Sequence, residues 1–170
     1  MAAVKHDAGL AAWAHFLPAG VIESLRMPER WAAAIDSTDP RVRMSIAEEG
    51  GGVVGFALTR PSGDTDAGDT TGELDAFYVD PQSWGRGTGR ALLEAATSAL
   101  QEAGFADATL WTAAENHRPR RIYEAAGWRQ DGADRQREIG GVSFVEVRYR
   151  VQLGSYRIAP STSAIQGAEP

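Results

Sequence analysis

The chain has 170 residues and a mass of 18.2 kDa, with 43% hydrophobic and 24% charged residues, which supports one packed domain and excludes disorder throughout. A formal net charge of −6 argues against a general nucleic-acid binder, which would carry a basic surface. The absence of cysteine excludes disulfides, thiolate metal sites and a cysteine nucleophile.

Taken from the N-terminus, residues 10–35 are rich in Ala, Leu and Trp and are punctuated by Pro18 and Pro28. They predict two short helices, about 5–16 and 19–34. Ser37-Thr38-Asp39-Pro40 is a turn signal. Arg43–Glu48 and Val53–Thr59 read as strands joined by a hairpin at Glu49-Gly50-Gly51-Gly52. Residues 61–72 form a polar Gly/Asp/Thr loop with no core-forming residue. Glu73–Val79 has apolar residues on both faces and reads as a central strand. A helix is predicted from Gly85 to about Ala103, with a buried stripe at Leu92, Ala96, Ala99 and Ala103 and a C-cap at Gly104. Ala108–Ala113 reads as a strand, and Asn116–Ala126 as a short helix ended by Gly127. In the last segment Val145, Val147, Tyr149, Val151 and Leu153 alternate with Phe144, Glu146, Arg148, Arg150 and Gln152, the pattern of a half-buried strand. Residues 1–153 are read as one mixed α/β domain and 154–170 as a loose tail. No apolar run approaches 18 residues, so no membrane span is expected, and the N-terminus lacks the features of a signal peptide. The cytoplasm is the expected compartment.

The most informative stretch runs from Val79-Asp80-Pro81 through Trp84-Gly85-Arg86-Gly87-Thr88-Gly89-Arg90. A strand ends, a proline turn follows, and three alternating glycines precede a helix. Glycines let a ligand approach the backbone closely, and the first N–H groups of a helix have no internal partner. The result is an anion site suited to a pyrophosphate. Glycine at a helix interior position costs about 1 kcal/mol relative to alanine, so three of them suggest a reason beyond packing. A dinucleotide fingerprint is not met, because the third glycine is misplaced, and a Walker A loop needs a lysine where the chain has only Lys5.

Three segments together resemble the GNAT superfamily of N-acetyltransferases: the strand Glu73–Val79, the turn Gly85–Gly89, and the run Asn116–Trp128, in which Tyr123 follows Asn116 after six residues and a Gly-aromatic pair closes the motif. The specific likeness covers about residues 73–129. Trp84 stands where the family usually carries Arg or Gln, and Pro119 where Ala is common. The strand with which family members usually begin is hardly supplied by residues 1–5. The resemblance implies a central, mostly antiparallel mixed sheet flanked by helices, its first strand either missing here or supplied by a true start upstream. It also implies acetyl-CoA as co-substrate, bound between two splayed parallel strands matched here by 73–79 and 108–113. An amine then attacks the thioester directly.

Such chemistry needs a base for the protonated amine, a donor for the developing oxyanion and an acid for the leaving thiolate. Glu73 is the candidate base by resemblance, with Asp75 its rival on the same face of a regular strand. The resemblance assigns the thiolate acid to Tyr123, an alternative being a packed aromatic. It assigns the pantetheine contact to Asn116, an alternative being a plain N-cap. Phe77, Tyr78 and Val79 on the strand, the last near the oxyanion donor, and Gly85, Arg86, Gly87, Thr88, Gly89 and Arg90 on the turn complete the implied cofactor site. Arg118, Arg120 and Arg121 are further candidates for the phosphates, each with a solvated surface role as the alternative. Trp13 and Phe16 are implied to line the acceptor pocket. The three histidines lack metal-ligand spacing, and no metal is expected. The acceptor stays open among small amines, amino acids and protein amino groups. Residues 1–83 carry 6 basic and 13 acidic residues, against 6 and 5 in 84–129 and 5 and 5 in 130–170. That asymmetry predicts a cationic acceptor. A homodimer is expected by resemblance, and the competing functional class is a non-catalytic acyl-CoA sensor.

Overall fold

The computed structural model describes residue 34 and residues 36–154. The two N-terminal helices, Trp13, Phe16, any strand preceding them and the tail beyond Gly154 lie outside the described residues. A six-stranded sheet carries the order β1-β2-β3-β4-β6-β5. The strands are β1 (Arg43–Glu49), β2 (Gly52–Pro61), β3 (Thr71–Val79), β4 (Asp107–Ala113), β5 (Arg129–Ile139) and β6 (Val142–Gln152). Among the described residues only β3 and β4 pair in parallel. Their crossover contains helix α1 (Thr88–Glu102), and helix α2 (His117–Ala125) connects β4 to β5. The mixed, mostly antiparallel sheet expected from the sequence is therefore present.

Two hairpins use the same local chemistry. Glu49 pairs with Gly52 across Gly50 and Gly51, and Ile139 pairs with Val142 across Gly140 and Gly141. All four glycines have positive φ. Two-residue loops of this kind match the twist of the flanking strands. The second hairpin contains β5, which has no counterpart among the predicted strands. Its sequence, RQDGADRQREI, offers almost no apolar alternation, because the strand is an exposed, charged sheet edge.

Helix α1 packs on the face of β1–β3 and begins three residues later than predicted. Gly87 is its N-cap in the left-handed conformation, so Gly85–Gly87 belong to the turn. Its buried face is Leu92, Leu93, Ala96, Thr97 and Leu100, a stripe centred on the leucines that differs from the predicted one. These side chains join Leu74, Val79, Leu110, Tyr123, Trp128, Tyr149 and Val151 in the main core. A smaller cluster of Phe56, Leu58 and Ala76 forms on the opposite face of the sheet. Leu74 and Ala76 belong to different clusters because β3 is bulged between them: Leu58 pairs with Ala76 but Thr59 with Leu74, leaving Asp75 as the extra residue.

Gly72 sits where β3 passes under α1. A methyl group there would lie 2.5 Å from Leu100 Cδ2 and 2.8 Å from Phe105 Cδ2, both in the buried core. Gly72→Ala is expected to destabilise the protein by about 1–3 kcal/mol through overpacking, read as a lower denaturation midpoint with an unchanged m-value.

Candidate functional site

The parallel ladder between β3 and β4 lasts for three residue pairs, Thr71–Glu73 against Asp107–Thr109. Beyond Glu73 the strands part. The β4-facing edge of β3 then has no strand partner, and its backbone groups face a cleft. That cleft is a single cavity of about 880 Å³, within the range of small-molecule sites.

One end of the cavity is the turn after β3. Asp80 caps the short 3₁₀ turn Pro81–Ser83 by accepting from the Gln82 N–H at 2.8 Å. Gly85 and Gly87 then take φ values of 77° and 89° and have open space where a Cβ would stand. Both line the cavity. At Gly89, a Cβ would stand 3.5 Å from Ile122 Cδ1, an ordinary contact distance, so the close approach of α2 does not itself require glycine there. The N-termini of both helices open onto the cavity, through Gly87 and Gly89 for α1 and through Asn116 and His117 for α2. Unpaired N–H groups and the helix dipoles suit this end to an anion. These residues fit the phosphate portion of a coenzyme A molecule.

Tyr123 lines the middle of the cavity, edge-on to Phe77 with ring centroids 5.8 Å apart. Burial pushes its phenol well above the ordinary tyrosine value, so it stays protonated at neutral pH. Asn116 precedes α2 as its N-cap residue but its side chain makes no capping hydrogen bond. It is largely buried and lines the cavity, so the plain N-cap alternative does not account for it.

Carboxylates gather at the other end. Arg60 Nη2 lies 3.0 Å from Glu73 Oε2 and 3.0 Å from Asp75 Oδ1. In a regular strand those two acids share a face; here the bulge breaks the regularity, and a shared guanidinium brings them together instead. The Gly63 N–H donates to Glu73 Oε2 at 3.4 Å. Burial raises the Glu73 pKa above the ordinary carboxylate value, against the opposing pull of Arg60. A buried carboxylate of this kind is a stronger base than a solvated one.

Most of the residues singled out from the sequence meet here. Glu73, Phe77, Tyr78, Val79, Gly85, Gly87, Gly89, Arg90, Asn116 and Tyr123 all line the cavity. Thr88, the first helical residue, is not among the lining residues, and the Arg86 side chain turns to Glu49, 3.1 Å away.

Sequence reasoning missed the residues that build the wall beside Glu73. The loop predicted over 61–72 is shorter, residues 62–70, because Pro61 ends β2 and Thr71 and Gly72 open β3; among the described residues it is held by charge. Arg148, with its side chain only 8% exposed, binds Asp64 at 3.2 Å, Asp66 at 2.6 Å and Asp131 at 2.8 Å. Asp64 also accepts from Trp111 Nε1 at 2.8 Å and Thr109 Oγ1 at 3.2 Å. On the polar face of β6, Arg148 is thus buried against carboxylates of the loop and of β5, and the half-buried strand read from its alternation is corrected at that residue. The available signal was three aspartates in a short loop and an arginine inside a strand pattern.

The acetyltransferase (GNAT) family model matches residues 11–128. A mycothiol acetyltransferase of Propionibacterium freudenreichii subsp. shermanii is 34% identical over 128 residues, 75% of this chain and 38% of that protein. The chain thus spans well under half the length of that curated relative. The fold is similar to that of PaiA N-acetyltransferase from Thermoplasma acidophilum, solved in complex with coenzyme A, with a TM-score of 0.69 at 16% identity over 88% of this chain and 89% of that one. It is also similar to YncA from Salmonella typhimurium, solved with acetyl-CoA, with a TM-score of 0.70 at 20% identity over 95% and 90% of the two chains.

The Arg148 guanidinium holds the Asp66 carboxyl down at about 2. A depressed folded-state value means stabilisation that is fully present above the unfolded carboxyl pKa, about 3.9, and lost as pH falls through the folded value. Asp66→Asn is expected to lower Tm at neutral pH, and the gap from the unsubstituted protein should close between about pH 4 and pH 2 in thermal melts followed by circular dichroism.

Proposed function

Because the chain belongs to the acetyltransferase (GNAT) family, we propose that it transfers the acetyl group of acetyl-CoA directly to a primary amine within a ternary complex. One observation carries this reading. The parting of β3 and β4 opens a single cavity with an anion cradle at one end, Tyr123 in its middle and a carboxylate pair at the other. The cradle of Gly85, Gly87 and the α1 N-terminus binds the phosphates. The exposed edge of β3 up to Val79 orients the acyl arm through backbone hydrogen bonds, and an N–H near Val79 stabilises the charge that develops on the thioester oxygen. Asn116 contacts the pantetheine arm.

Glu73 removes the amine proton, directly or through water, and Asp75 is its rival. Its raised pKa improves proton affinity, while the Arg60 contact keeps it ionised enough to act. Tyr123 donates to the departing sulfur. Its elevated pKa makes it a neutral hydrogen-bond donor that retains its proton until charge builds on the thiolate. Around Arg60 two carboxylates share one guanidinium, a local negative excess that supports a cationic amine, with Arg135 and Arg137 also lining the cavity. The 34% identity with a mycothiol acetyltransferase supports including that enzyme's acceptor among the amines to be tried. The cytoplasm is the compartment that goes with this reading.

The test is thiol release from acetyl-CoA across a panel of cationic, neutral and anionic amines. Glu73→Gln is expected to lower kcat by about 10²–10⁴-fold. Since the base acts ionised, kcat/KM should fall as pH drops through a midpoint above 4.5, the ordinary glutamate value, and Glu73→Gln should remove that limb. Full activity in Glu73→Gln would transfer the base role to Asp75 or a water chain. Coenzyme A binding with no turnover on any amine would favour a sensor.

A further inference from the structure

Arg86 and Arg90 flank the phosphate cradle in sequence and Arg118, Arg120 and Arg121 lie on α2; four of these five are already engaged or turned away. Arg86 Nη1 pairs with Glu49 at 3.1 Å, and Arg90 Nε with Glu94 at 2.8 Å. Arg120 donates to the Ala114 carbonyl and, at 3.0 Å, to the Tyr149 hydroxyl, which itself donates to Glu124 at 2.6 Å. Arg121 is not among the residues lining the cavity.

Arg118 differs on each count. It lines the cavity, and among the described residues no carboxylate pairs with it. Its guanidinium carbon stands 4.2 Å from the centroid of the Trp84 ring. Trp84 is itself fixed, its Nε1 donating to the Val79 carbonyl at 2.9 Å and its ring packing against the main core. The indole therefore ties the end of β3 to the glycine turn and offers its face to the arginine. An arginine over an aromatic face gains cation–π attraction while its in-plane N–H groups stay free for bidentate contact with phosphate. Arg118 also occupies the first turn of α2, where the helix dipole adds positive potential.

We infer that Arg118, positioned on the face of Trp84, is the guanidinium that binds the phosphate groups of the co-substrate beside the Gly85–Gly87 cradle. The inference rests on the reading of acetyl-CoA as co-substrate. Trp84 supplies no cationic donor of its own, and its contribution is to hold a cation carried by another helix.

Isothermal titration calorimetry with CoA, dephospho-CoA and pantetheine tests this without turnover. Arg118→Gln is expected to weaken CoA binding by about 10- to 100-fold and to leave pantetheine, which lacks phosphate, unchanged. Arg118→Lys should recover only part of the loss, since it restores charge without the planar fork. Trp84→Leu should weaken CoA binding in the same direction and make the further Arg118→Gln substitution nearly silent, as expected for a coupled pair. A loss that persists with dephospho-CoA assigns the contact to the pyrophosphate, and a loss confined to CoA assigns it to the ribose phosphate. Arg118 is exposed, so the variant should fold, with an unchanged Tm as the control. Unchanged CoA affinity in Arg118→Gln, or an equal loss for pantetheine, overturns the inference. Absence of CoA binding by the unsubstituted protein instead overturns the co-substrate reading, and the inference falls with it.

Discussion

Everything at the site depends on where β3 and β4 stop pairing. Two parallel strands that stay together hide their facing backbone groups in a ladder. These two share only Thr71–Glu73 with Asp107–Thr109 and then separate. The separation leaves polar backbone edges that need partners, and a cleft wide enough to supply them from a ligand. The same opening places the N-termini of α1 and α2 at one end. A closed ladder would have buried that space and left the glycine turn as packing only.

Charge, more than apolar packing, shapes the end of the cavity beside Glu73. The β2–β3 loop has no hydrophobic anchor. Its position comes from Arg148, which is nearly excluded from solvent and binds carboxylates of two separate segments. Removing Arg148 would take the shared cation from Asp64, Asp66 and Asp131 at once, so the cluster behaves as a single unit. Its consequence is local and chemical: with Asp64 fastened to Trp111 and Arg148, the neighbouring Gly63 N–H stays within reach of Glu73. Burial that raises the Glu73 pKa is thus produced by a loop whose own residues are mostly polar.

The parts of the fold that are legible in the amino-acid sequence carry a local signal. Glycine pairs such as Gly50-Gly51 mark a turn because few other residues adopt that backbone. The stretch around Gly85–Gly89 announces a strand, a turn and a helix start in one run. What stays hidden is decided by partners distant in the chain. Strand β5 has no apolar alternation because it lies at an exposed edge, and its signal is the flanking Gly140-Gly141 turn. The start of α1 shifts to Thr88 because Gly87 takes a left-handed conformation as N-cap. The bulge at Asp75 depends on pairing with β2 and leaves no trace in a periodicity of two.

A net charge of −6 argues against a general nucleic-acid binder, and the acidic excess is concentrated in residues 1–83. In the fold that excess has an address: Glu73 and Asp75 face one Arg60, and Asp64 and Asp66 face Arg148. By itself the sequence determined the described elements other than β5, the glycine cradle and the family likeness, since each rests on neighbours in the chain or on a fixed spacing. Tertiary structure alone decided which carboxylates share a cation, which arginines remain free for a ligand, and how far β3 and β4 run together. Those outcomes depend on distances between segments, and electrostatics and burial act through distance in space rather than position in the chain.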